Sequence, residues 1–194
     1  MATRKGLAGF LERLRKPKPK TAPVDQWAVP VLSTITPAAS VSMGRQHWVL
    51  GLNWQLYADR KELNQLQRNS QAQGYTHYVA NTSGEMVGFA AGLDKTLGKK
   101  PLCAAIHLAE TVSLGGVELF IFELPDGLFS LTALNDSHPV PNFDSVGTKA
   151  EIMGLVTEYR ALQSGQPIRY VGNVDWFENI EKLSTGEAFA RPDG

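Results

Sequence analysis

Between residues 46 and 54 the large apolar side chains fall on every second position, Trp48, Leu50, Leu52 and Trp54, while His47, Val49, Gly51 and Asn53 take the other face. Alternation with period two marks a half-buried strand. The run breaks at a polar corner, where Asp59-Arg60-Lys61-Glu62 has the form of a capping-box variant with Glu62 reaching back toward the cap residue. A helix is therefore expected over about 59–73. Tyr75 to Ala80 and Glu85 to Ala91, joined by Asn81-Thr82-Ser83-Gly84, read as a hairpin. After a polar loop through Asp94 and Lys100, Pro101 opens a predicted helix in which Leu102, Ile106 and Ala109 repeat at core-facing spacing.

Val117 to Glu123 is apolar on both faces and predicts a central strand, which Pro125-Asp126-Gly127 turns into a second strand, Leu128 to Leu134. Thr148-Lys149-Ala150-Glu151 is a capping box ahead of the amphipathic stripe Ile152, Leu155, Val156, Tyr159 and Leu162, and Gly165 and Pro167 end that helix. A short strand over 168–171 and a last helix over about 175–183 complete the pattern. The prediction is an α/β fold: one domain with a mixed sheet containing two hairpins, and flanking helices.

Charge divides the chain unevenly. Residues 1–20 hold seven Lys/Arg against Glu12, leaving 12 Lys/Arg against 18 Asp/Glu in the remainder, although the whole is formally neutral. Residues 1–16 have the pattern of a basic amphipathic arm, with Leu7, Phe10, Leu11 and Leu14 on one side and Arg4, Arg13 and Lys16 elsewhere; Leu7, Phe10, Leu11, Arg13, Leu14, Arg15 and Lys16 are candidates for partner binding. Residues 17–44 contain five of the 11 prolines and little periodicity, which reads as a linker. The globular scaffold domain is expected over 45–185, followed by a flexible tail over 186–194. No run of about 18 apolar residues occurs, so no bilayer-spanning helix is expected. Cys103 is the single cysteine and cannot form an internal disulfide.

The candidate chemistry is sparse. A phosphate-binding corner needs several glycines so that backbone N–H groups can face the anion, yet Gly51 alone precedes the corner at 52–59, and Asp59 would repel a phosphate. The corner reads as architectural. Cys103, His107 and Glu110 fall at i, i+4 and i+7 of the expected helix and invite a catalytic or metal reading; against it, a nucleophilic Cys meets its His from another element, and a zinc site needs four separated ligands. Asp136, Ser137 and His138 are the residue types of a hydrolase triad. Their adjacency argues for a turn instead, because triad members converge from distant segments. The competing class is thus a small cytosolic enzyme built on Cys103 or on the 136–138 loop. Nucleic-acid binding is not expected, since the body is acidic and carries no RNA-binding or helix-turn-helix signature.

Two stretches, RQHWVLGLNWQLYADRKEL and FELPDGLFSLTALNDSHPVPNFDSVGTKAEI, resemble the N-terminal region of PilO-type accessory proteins of type IVb and conjugative pili. The matching positions are Gly51, Trp54, Gln55, Leu124, Pro125, Asp126, Gly127, Gly147, Thr148 and Lys149, and the likeness spans about 45–180. It implies a non-catalytic scaffold, cytoplasmic and peripheral to or anchored at the bacterial inner membrane. The implied partners are the pilus or secretion ATPase and inner-membrane platform subunits, with the basic arm free to meet anionic lipid; no cofactor is implied. Related platforms use degenerate actin-like cytoplasmic domains, which supplies a fold analogy. Family members of this type continue into a transmembrane helix and a periplasmic portion, so the chain is expected to be either a fragment or a shortened member.

Overall fold

The computed structural model describes residues 37–43, 46–81, 83–93 and 101–190. The basic arm, with Leu7, Phe10, Leu11, Arg13, Leu14, Arg15 and Lys16, lies outside the described residues, as does most of the expected linker.

The expected mixed sheet is five-stranded, in the order β11 (Ile180–Lys182), β10 (Ile168–Gly172), β7 (Val117–Glu123), β8 (Phe129–Asn135), β9 (His138–Gly147). Its centre is β7 (Val117–Glu123), the strand apolar on both faces. Leu119 and Ile121 face a core with Leu131, Phe143, Ile152, Val156 and Tyr159; Phe120 and Phe122 face another with Trp48, Leu50, Leu108 and Phe189. Two faces of buried side chains on one strand require cover on both sides. Helix α3 (Lys149–Leu162) covers the first face, capped by Thr148 and Glu151 as predicted. Strand β8 (Phe129–Asn135) pairs antiparallel with β7 across the 125–127 turn, where Gly127 has φ +78°.

Several expectations are corrected. The strand read through residues 46–54 divides: β2 (Gln46–Leu50) joins β1 (Ala39–Met43) and β6 (Leu102–Cys103), while β3 (Asn53–Leu56) joins β5 (Met86–Ala90) and β4 (His77–Ala80) in a second small sheet. The break falls at Gly51, whose φ of +76° favours glycine. Strand β1 occupies part of the segment read as linker. Residues 102 and 103, read as helix, pair in parallel with Trp48 and Val49, so helix α2 (Ala104–Thr111) begins later.

The polar segment after Asn135 is a turn into a strand. Asp136 and Ser137 both have positive φ, as a tight hairpin requires, and β9 (His138–Gly147) pairs antiparallel with β8. Pro139 and Pro141 concealed it from a propensity reading, but β9 is an edge strand, where missing N–H donors are tolerated. Finally, the helix expected over 175–183 is replaced by β11 (Ile180–Lys182), parallel to β10 (Ile168–Gly172), and by the short helix α4 (Thr185–Ala188). Ala188 and Phe189, inside the expected tail, are buried.

Helix α1 (Arg60–Ala72) differs from α3. Asp59 caps it, accepting from the Glu62 N–H at 2.8 Å, while the Glu62 carboxylate accepts from Ala58 N–H rather than from the cap residue. Ser70 is its one fully buried residue.

Candidate functional site

The corner at Gly51 is closed by a carboxylate from a distant strand. Asp144, on β9, is buried and accepts from the Gly51 N–H at 3.0 Å, the Leu52 N–H at 3.2 Å, Trp54 Nε1–H at 2.8 Å and the Thr132 hydroxyl at 3.4 Å. Two backbone N–H groups at a positive-φ glycine form a small anion-binding concavity of the kind that receives phosphate elsewhere. Here the chain fills it with its own carboxylate. Burial pushes the Asp144 carboxyl above its ordinary range, and the donors from Trp54, Gly51, Leu52 and Thr132 offset part of that rise. The side chain fastens the large sheet to the start of the small one, so the corner is architectural and Asp144 is its key. Sequence reading missed Asp144; one Asp among the polar and proline positions of 138–147 has no local pattern.

The positions carrying the family resemblance are distributed around this frame. Gly51 and Trp54 belong to the Asp144 clasp, and Gln55 lies half-buried on β3 opposite Val87. Pro125, Asp126 and Gly127 build the β7–β8 turn, in which the Gly127 N–H donates to Leu124 O at 3.0 Å and Asp126 Oδ1 accepts from the Leu128 N–H at 3.2 Å. Gly147 ends β9 against the Glu151 carboxylate, Thr148 caps α3, and Lys149 Nζ lies 4.9 Å from the Trp176 ring centre.

The catalytic candidates are not assembled into reactive arrangements. Cys103 borders an apolar groove of about 210 Å³ with Val49, Leu52, Leu93 and Leu102, and burial pushes its thiol up to about 12, far from the thiolate that a nucleophile needs. His107 packs its ring 4.7 Å from Trp48 and 6.4 Å from Phe189, and burial pushes its pKa down. Glu110 instead borders a shallow crevice with Ser83, Ser137 and His138. The three residues predicted to share a helix face thus enter three different surroundings. Among the described residues, no group of three or more His, Cys, Asp or Glu could hold a metal ion.

At the 136–138 turn each side chain serves the hairpin. Asp136 Oδ1 accepts from the Gly116 N–H at 2.9 Å, and the Ser137 hydroxyl lies 2.9 Å from that of Ser113. His138 Nδ1 lies 2.8 Å from Asp136 O, an acceptor, so that nitrogen carries the proton. Its Nε2 is then left to both Ser83 Oγ at 3.5 Å and Glu85 Oε2 at 3.6 Å. A triad places serine and acid on opposite ring nitrogens, so this geometry cannot pass a proton from Ser83 while Glu85 orients the ring.

Ser113 leads into a second buried polar centre. Glu118, fully buried on β7, accepts from Ser113 Oγ, from the Leu114 N–H at 3.0 Å and from Arg169 Nη1 at 2.5 Å. Arg169 also meets both carboxylate oxygens of Glu181, at 2.8 and 2.9 Å. Burial opposes the Arg169 charge, but the bonds to Glu118 and Glu181 outweigh it and hold the guanidinium more firmly protonated. The pairing spans β7, β10 and β11, and the fork of Arg169 matches the Glu181 carboxylate. Glu118 interrupts an apolar strand, a visible signal whose partners were not.

Among the described residues no helix is long and apolar enough to cross a membrane. Among curated protein sequences none matches the chain. Of solved structures, the crystal structure of the cytoplasmic domain of BfpC is similar to 71% of this chain and 83% of that one, at 17% identity and a TM-score of 0.48. The family model for pilin accessory protein (PilO) matches residues 48–187, from the buried Trp48 through the Asp144 clasp to the Glu187 cap. The chain belongs to the PilO family of pilin accessory proteins.

Proposed function

We propose that the chain is a non-catalytic scaffold of type IV pilus or related secretion assembly, docking the inner-membrane platform to cytoplasmic partners such as the assembly ATPase. The observation that carries this reading is the family match over residues 48–187, which takes in nearly all of the described domain. The chemistry is compatible with it: Cys103 packs half-buried against the core, and the carboxylates of Asp144 and Glu118 are engaged in holding the fold. In the same reading the chain works in the cytoplasm at the inner membrane. The arm, with Leu7, Phe10, Leu11, Arg13, Leu14, Arg15 and Lys16, binds an acidic partner or anionic lipid, because its cations gain from both and its apolar face is short for anchoring alone.

The test is co-purification of the full chain, and of a variant lacking residues 1–20, with the assembly ATPase and platform subunits of its own pilus system. The full chain is expected to bind at least one of them, and the truncated chain to fold normally and bind more weakly. Absence of binding to all of them would overturn the scaffold reading.

A further inference from the structure

No further inference is drawn: the strongest candidate, the apolar groove between the edge strands β4 and β6, lined by Val49, Leu52, Val79, Leu93, Leu102 and Cys103, carries nothing because nothing in the structure shows what covers it.

Discussion

Two helices of this domain carry similar sequence signals and do different things. Both α1 and α3 begin at a side-chain cap with a glutamate three residues on, and both were legible from that punctuation. Helix α3 buries Ile152, Val156 and Tyr159 against β7 and β8 of the large sheet, whereas α1 buries only Ser70 beside the small β3-β5-β4 sheet. Caps settle where a helix starts; the apolar area opposite settles what it contributes. The large sheet with α3 is the stable frame, and the small sheet with α1 is an attachment fastened to it through Asp144.

The largest effect should separate the two helices directly. Ile152→Ala removes fully buried methyl groups and should cost about 2–5 kcal/mol in urea unfolding, while Leu63→Ala, at a half-covered position, should cost about 1 kcal/mol or less. Equal costs would mean that α1 is as much a part of the core as α3.

The next effect tests the fastening. Asp144→Asn leaves buried donors at Gly51, Leu52 and Trp54 facing an amide that can satisfy only some of them, and should cost about 1–3 kcal/mol. Hydrogen exchange should then rise in β3, β4 and β5 before it rises in β7 and β8. Uniform acceleration across both sheets would show that the two regions unfold as one unit.

A smaller effect concerns the caps. Thr148→Ala should cost about 0.5–2 kcal/mol, and Asp59→Ala less than Thr148→Ala, because fraying of α1 exposes little core. Thermal melts of the two variants check the ordering.

The smallest effect is in pH. Asp144 has a folded-state pKa raised above its unfolded value, so its contribution is present below the unfolded pKa and is lost as pH rises through the folded one. Glu151 and Glu187 are shifted the other way by their bonds to Thr148 and Ser184, and their contributions disappear as pH falls through their folded pKa values. The penalty of Asp144→Asn should therefore shrink as pH rises from the carboxylate range, whereas that of Glu151→Gln should shrink as pH falls. Melting curves of both variants across that range read the two slopes, and slopes of the same sign would contradict these assignments.

Local patterns determined a good deal of this protein. The Pro125-Asp126-Gly127 turn and the Thr148 capping box each rest on contacts within a few residues, and the doubly apolar β7 announces its burial by composition; each is present. The motif residues that placed the chain in its family are mostly of this kind. What the sequence did not disclose depends on distant partners. Whether residues 46–56 form one strand or two is decided by Asp144, more than 90 positions away in the chain. Pro139 and Pro141 could enter β9 only because that strand lies at the sheet edge, and residues 180–182 became a strand because β10 offered a free parallel edge. Cys103, His107 and Glu110 were spaced as one helix face, yet residue 103 pairs with Val49 and His107 packs under Phe189, so the helix that would have aligned them starts too late. A periodicity records which side chains point the same way along one segment. Which donors, edges and rings stand opposite is a property of the closed fold, because those neighbours come together only when remote segments pay the entropy of meeting.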